Sequence, residues 1–364
     1  MIKKLVIENF KSLEKIELEL DKFNVLIGPN SSGKSNILQA ISFLSEMLEL
    51  SIDNLVRKYA GSYSDMVYKQ EIWRNIKINI EAENFEYGVE IKGEKGFAGI
   101  AREILRSGEK EIIREHQNIK VPKDISLDSK SESIFFRNNF YLVERFGIKE
   151  IREYLSNWII YDFRPEVMKK EQQKSKIDIV DKEGANVFWV LQRLLNERRS
   201  LYLNIEKMAK EFDNFEQIGI EDLPGDKIIG FLAKNGKKYY SYTLSDGFLK
   251  TLALFTSIID NKKPKVLIYE EPENFIYPNA LEVVADLFKI SESQVIVATH
   301  SPILLNFLKP EEVNIIVVEK KEGKTSTIKI KSKQLLKEKL IDLGMGLGDY
   351  WLTEEFKDEK SINS

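Results

Sequence analysis

Eight residues constrain this chain more than any others: Gly28-Pro29-Asn30-Ser31-Ser32-Gly33-Lys34-Ser35 fits the pattern G-x-x-x-x-G-K-[ST]. They stand between a short apolar run, Phe23 to Ile27, and a segment in which Ile37, Leu38, Ile41, Leu44, Met47 and Leu48 recur every three or four residues. The run that stops at Gly28 reads as a buried strand and the recurrence as an amphipathic helix, so strand, glycine loop and helix follow one another. That context suits a phosphate. The glycines let consecutive backbone N–H groups turn inward, and the helix N-terminus adds partial positive charge. Lys34 reaches the β- and γ-phosphate oxygens, and the Ser35 hydroxyl ligates magnesium. The alternative is a plain Gly/Ser-rich turn joining strand to helix.

Further on, four pieces follow in quick succession. Gly247 to Ile259 is an apolar helix, Lys265 to Tyr269 a buried strand ending in Glu270 and Glu271, Pro278 to Ile290 a helix begun by proline, and Gln294 to Ala298 another buried strand. Strand and helix alternate, which predicts a parallel sheet flanked by helices, an α/β architecture. Carboxylates at such a strand end face the crevice beside a phosphate loop. In P-loop enzymes the first acid, here Glu270, holds magnesium, and the second, Glu271, polarises the attacking water as a general base. Without that context the two acids would be an exposed acidic pair. His300 ends the second strand beside a helix cap, where an imidazole can hydrogen-bond the γ-phosphate or the water. The other histidine, His116, falls in a charged loop and reads as surface. Leu244-Ser245-Asp246-Gly247 opens the apolar helix, and Ser245 makes a good N-cap.

The rest of the chain frames these motifs. Residues 2 to 8 and 14 to 20 alternate like half-buried strands and read as a hairpin, as do Val313 to Glu319 with Thr325 to Ile330. Residues 101 to 135 read as charged and irregular, with 116 to 133 as a loop. Asn186 to Phe212 is helical in pattern, YYSYTL before Leu244 is strand-like, and the tail from Asp358 reads as disordered. With 364 residues, 43% of them hydrophobic, the chain can bury one large core or two linked ones, and one head carrying an inserted lobe, over 1–355, is expected. An N-terminal antiparallel lobe would span 1–100, a helical insertion 101–240 and the second half of the head 241–355, with a flexible tail at 356–364. A net charge of -3 denies the chain the global basic field of a constitutive nucleic-acid binder, and the lack of cysteine removes disulfides and thiolate chemistry. No stretch approaches the roughly 18 apolar residues of a membrane span or resembles a secretory leader, so a soluble cytoplasmic protein with no membrane partner is expected.

Taken in order, the phosphate loop, LSDG, EEPEN and ATHSP resemble the RecF-like and OLD-like branch of the ABC ATPases, which is related to SMC-type heads. Supporting matches are IENFKS, GPNSSGKSN, KEGANV, LSDGFLKTLAL, LIYEEPENFIYP, VIVATHSPILL and MGLGDYWL. The resemblance implies a P-loop NTPase of the ABC head type, an ATPase using ATP and Mg2+. It implies a nucleotide-binding set of Gly28 to Asn36, with Lys34, Glu271 and His300 catalytic and Ser35 and Glu270 on the metal. Ser245 and Gly247 would press on the γ-phosphate held by a second copy, so that a homodimer closes around ATP. Glu273 to Ile276 resembles the loop that crosses this interface, Lys11-Ser12 the N-terminal segment near the nucleotide, and Gln70 is the candidate for the glutamine that completes the magnesium site. Glu270 stands where Asp is usual, Tyr277 where His is commoner, and Phe248 and Lys250 replace Thr and Arg. Too few residues follow His300 for the TOPRIM nuclease of OLD-like proteins, no HNH constellation is visible, and there is no long heptad array for SMC-like bridging.

The reading that follows is an ATP-driven switch acting on DNA or on a separately encoded nuclease or other effector, in repair, recombination or phage defence. Its rival is a nucleotide-gated scaffold with little or no hydrolysis. Glu271 and His300 argue against that rival, since a pure sensor needs neither. A small-molecule kinase is a further alternative, for which no acceptor motif is present.

Overall fold

The N-terminal alternation of apolar and charged residues produces the expected hairpin: β1 (Ile2–Phe10) pairs antiparallel with β2 (Leu13–Glu19), putting Leu5, Ile7, Ile16 and Leu18 inside. The computed structural model describes residues 1–94, 97–115, 118–120, 148–174, 179–260, 266–330 and 332–353. Its chain divides into two compact units, Met1–Trp158 with Asn314–Lys331, and Ile159–Val313 with Ser332–Ser364.

In the first unit the hairpin extends into a seven-stranded antiparallel sheet, ordered β2-β1-β4-β5-β6-β7-β8. Its further strands are β4 (Ile76–Ala82), β5 (Glu86–Glu94), β6 (Phe97–Ser107), β7 (Lys110–Glu115) and β8 (Asn118–Lys120). The last three correct the expectation of irregular chain from residue 101. Their alternation is masked by a buried acid: Glu103 lies inside, where it accepts a hydrogen bond of 2.7 Å from the Tyr87 hydroxyl. The remainder of the expected loop, His116 and the tail from Asp358 lie outside the described residues. The same unit holds β3 (Phe23–Ile27), buried at all five positions and parallel to β16 (Asn314–Lys321), as a strand covered on both faces should be. β16 turns through Glu322 and Gly323, both at positive φ, into its antiparallel partner β17 (Lys324–Lys329). α1 (Lys34–Glu46) packs on β1, α2 (Ile52–Ala60) on β6, and α4 (Ile148–Ser156) on α1; α3 (Tyr63–Met66) follows α2.

The second unit starts within β9 (Trp158–Tyr161). β14 (Val266–Glu270) and β15 (Gln294–Thr299) run parallel, in the register Glu270 opposite Ala298, with α9 (Pro278–Ile290) as their right-length crossover. α8 (Asp246–Ile259) is buried at every position from Phe248 to Ile258, as its apolar sequence requires. Tyr269 of β14 stacks on Tyr161 at 5.1 Å and shares a 2.9 Å hydrogen bond with Ser257 of α8, fixing strand to helix. The helical pattern of 186 to 212 is two helices, α6 (Val187–Glu197) and α7 (Arg199–Ala209), broken at Arg198, whose φ of -141° leaves the helical region. A small sheet, β10 (Gln172–Gln173), β12 (Lys227–Lys234) and β11 (Gln217–Leu223), with β13 (Lys237–Tyr240) also on β12, lies within residues 172–240, and β13 takes in the first two residues of the strand-like YYSYTL. Short helices α5 (Pro165–Met168) and α10 (Pro302–Asn306), then α11 (Lys333–Leu343) and α12 (Leu347–Trp351), complete it.

Candidate nucleotide site

The glycine loop lies in the first unit between β3 and α1. Ser31 and Gly33 take positive φ, 62° and 110°. A Cβ on Gly33 would meet Thr325 Oγ1 at 2.2 Å, so only glycine fits above β17. Gly33 is also the N-cap of α1 and offers no side-chain bond to the helix, which leaves the first-turn N–H groups without a side-chain cap. Lys34 is buried, and its ammonium donates to the carbonyls of Gly28 at 2.8 Å and Pro29 at 3.0 Å, spanning the loop. Pro29, Asn30 and Ser35 are exposed, and Asn36 is half-buried. The buried Ser32 hydroxyl has no protein partner. An uncapped helix start, a lysine and an orphaned hydroxyl beside a loop turned at Ser31 and Gly33 are a donor set that suits a polyphosphate, and the hard oxygen of Ser35 suits magnesium.

Three further contacts hold this loop. Asn36 Nδ2 donates to Ser12 Oγ at 2.8 Å, Ser12 Oγ lies 2.7 Å from Thr325 Oγ1, and Thr325 donates to the carbonyl of Ser32 at 2.9 Å. Lys11, by contrast, is committed: its Nζ donates to Gln39 Oε1 at 2.5 Å and to the Tyr59 carbonyl at 2.8 Å, and burial pulls its pKa down. Gln70 is exposed, in a turn with positive φ, and its amide donates to Asp65 at 3.4 Å.

The second unit gathers Glu270, Glu271 and His300 at the carboxyl ends of β14 and β15. Glu271 continues the ladder by donating its N–H to Ala298 at 2.8 Å, yet has φ of 45°. Left-handed backbone at a glutamate costs roughly 1–3 kcal/mol and persists where the surroundings over-determine it. Here they do. His300 Nδ1 lies 3.1 Å from Glu271 Oε1, and Asn274 Nδ2 donates to Oε2 at 2.8 Å, so both carboxylate oxygens are held while the group stays partly exposed. Glu273 is more buried: its Oε1 accepts from Thr299 Oγ1 at 2.5 Å and from the His300 N–H at 3.4 Å, anchoring the backbone that carries the imidazole. Ser245 caps α8, its Oγ accepting from the Phe248 N–H at 3.2 Å. Gly247 lies against the Glu271–Phe275 loop, where a Cβ would meet the Phe275 carbonyl at 2.4 Å. Phe275, at φ 69°, and Tyr277 leave their rings exposed.

The structure thus assembles the residues from Gly28 to Asn36 in one unit and Ser245, Gly247, Glu270, Glu271 and His300 in the other. Three contributors escape a reading by motif. Asn274 is visible inside EEPEN, but its grip on Glu271 depends on the strained turn. Lys250 shows only as a departure from arginine, though its Nζ donates to the Glu271 carbonyl at 3.1 Å. Thr325 carries no local signal, being brought beneath the loop by a strand almost 300 residues away.

Fold and site together define an ATPase head of the ABC type, with a P-loop after a buried strand and paired acids after a parallel one. The chain belongs to the family described as AAA domain, putative AbiEii toxin, Type IV TA system, whose pattern matches residues 23–306. It is 25% identical over 345 residues to Endonuclease GajA of Bacillus cereus (strain VD045), covering 83% of this chain and 55% of that protein. It is 24% identical over 279 residues to the DNA replication and repair protein RecF of Caldanaerobacter subterraneus subsp. tengcongensis, covering 69% of this chain and 71% of RecF. Against Structural maintenance of chromosomes protein 2 of Gallus gallus it is 27% identical over 244 residues, covering 60% of this chain and 19% of that protein. The chain therefore spans about half the length of the endonuclease and about a fifth of the chromosome protein. Among solved structures it is similar to an SmcHead bound to the C-winged helix domain of ScpA, with a TM-score of 0.55 at 16% identity, covering 90% of this chain and 97% of the other. A second is an Smc head domain with an extended coiled coil, bound to the C-terminal domain of ScpA derived from Pyrococcus furiosus, with a TM-score of 0.52 at 15% identity, covering 94% and 99%. Among the described residues no helix is long and apolar enough to cross a membrane.

Proposed function

We propose that the chain is an ATP-hydrolysing switch that pairs with a second copy around ATP and acts on DNA or on a partner effector. The observation that carries this reading is the Glu271 carboxylate, held by His300 and Asn274 on strained backbone at the end of a parallel strand. A merely structural acid would gain nothing from that strain, whereas a base that must meet a water in one orientation does. In this reading the backbone from Gly28 to Ser35 and the Lys34 ammonium bind the phosphates, and Asn36 holds the loop to Ser12. Ser35 and Glu270 hold Mg2+, which when bound supplies charge neutralisation at the β- and γ-phosphate oxygens. Glu271 accepts the proton of the attacking water, and His300 orients Glu271 and responds to the γ-phosphate. Ser245 and Gly247, at the exposed start of α8, meet the nucleotide of the second copy.

The names of two relatives, an endonuclease and a DNA replication and repair protein, support DNA as the object on which the switch acts. The division into a head over 1–355 with an insertion at 101–240, and a cytoplasmic location, belong to the same proposal. Light-scattering mass of Glu271→Gln protein, with and without Mg-ATP and with short duplex DNA, tests it. A mass that doubles only with ATP is expected, with DNA co-migrating. A mass indifferent to ATP would sink the pairing, and unslowed phosphate release would remove Glu271 as the base and favour a scaffold that does not rely on hydrolysis.

A further inference from the structure

Lys250 is buried in α8, with 5% of its surface exposed, two turns or less from the Ser245 cap. An ammonium is rarely placed there without a task, because removing it from water is costly unless it is paired. Its Nζ donates to the carbonyl of Glu271 at 3.1 Å and lies 5.9 Å from the centre of the Phe275 ring. Burial lowers its pKa, and the nearby charges of Glu273, Asp162 and Glu271 oppose that fall. The same peptide region is pinned from the other side by β15, through the Glu271 N–H on Ala298. One turn before Lys250, Gly247 backs onto the Phe275 carbonyl so closely that no side chain fits, and Thr251 closes the turn by donating to the Gly247 carbonyl at 2.8 Å. The first two turns of α8 therefore touch the Glu271–Phe275 loop at both its ends.

We propose that Lys250 is a positioning residue that ties the start of α8 to the backbone of Glu271, so that hydrolysis in one copy depends on the seating of its own α8. This rests on the reading of Glu271 as the base and of Ser245 and Gly247 as the contact with the second copy's nucleotide. A helix displaced by that contact would carry the Glu271 carbonyl with it, and the φ of 45° could then relax or tighten. Each site would be told, through its own lysine, whether the facing nucleotide is engaged.

The test uses the full chain with Lys250→Met, Lys250→Arg, Glu271→Gln and the double variant Lys250→Met with Glu271→Gln. Binding of a fluorescent ATP analogue, kcat, KM and Tm are measured for each. Lys250→Met is expected to bind nucleotide within about twofold of the parent while kcat falls about tenfold or more, the scale of one charge-assisted hydrogen bond lost at the reacting group. Lys250→Arg is expected to recover most of that loss, and in the double variant Lys250→Met is expected to cost nothing beyond Glu271→Gln. A kcat for Lys250→Met within twofold of the parent, or a loss that multiplies that of Glu271→Gln, would overturn the link. Should Lys250→Met fail to fold, Lys250→Gln carries the same comparison with a polar, uncharged head. Full turnover by Glu271→Gln would overturn the underlying reading of the base, whereas an inactive Glu271→Gln beside an unimpaired Lys250→Met overturns the link alone.

Discussion

Lys34 illustrates how a single side chain can be structural and chemical at once. Its ammonium bridges the carbonyls of Gly28 and Pro29, contacts that a bound phosphate would share or displace. Lys34→Ala is therefore expected to weaken ATP binding on the order of tenfold to a hundredfold, as a charged hydrogen bond of about 1.5–3 kcal/mol would. Isothermal titration with a non-hydrolysable ATP analogue checks it, and an affinity within threefold of the parent would argue against the loop as the phosphate site. At this scale the sequence was informative wherever chemistry depends on contiguous residues. The loop from Gly28 to Ser35 and the pair Glu270-Glu271 are legible because their spacing is their function. Asn274 and Lys250 are not, because their roles depend on the left-handed backbone at Glu271, and nothing in a glutamate announces positive φ.

At the level of elements, β17 is the support of the phosphate loop. Thr325 fills the space that lets only glycine stand at 33, and it satisfies the buried Ser32 carbonyl and the Ser12 hydroxyl. Thr325→Val keeps the shape and removes both hydrogen bonds. It is expected to lower unfolding stability by about 1–3 kcal/mol, the cost of leaving buried partners unsatisfied, and to weaken nucleotide binding with it. Urea unfolding monitored by tryptophan fluorescence measures the first, and an unchanged midpoint would deny β17 that role. Elements were readable where polarity follows one period. β1 and β2 obey that rule, while β3 and α8 were readable as continuous apolar runs, buried all round. β6 hides because Glu103 points inward, and the boundary between α6 and α7 hides because Arg198 departs from helical geometry without a glycine or proline to mark it.

For the whole molecule, the proposal of a paired head makes a prediction that no single copy could test. Ser245→Arg places a long cation at the cap of α8, where the second copy's nucleotide is proposed to arrive. Single-site ATP binding is expected to persist, and ATP-dependent doubling of mass in a Glu271→Gln background is expected to be lost. Loss of nucleotide binding itself would mean that Ser245 does no more than cap its helix, a role its 3.2 Å bond to the Phe248 N–H already fills.

The first unit is discontinuous: it opens at Met1 and is finished by residues 314–331. On a ribosome this sets an order of events. The glycine loop and α1 emerge first, and Thr325, which reaches back 293 positions to the Ser32 carbonyl, emerges long after them. Until residue 325 has been made, a nascent chain lacks the underside of its own glycine loop, so that loop is completed long after it is synthesised.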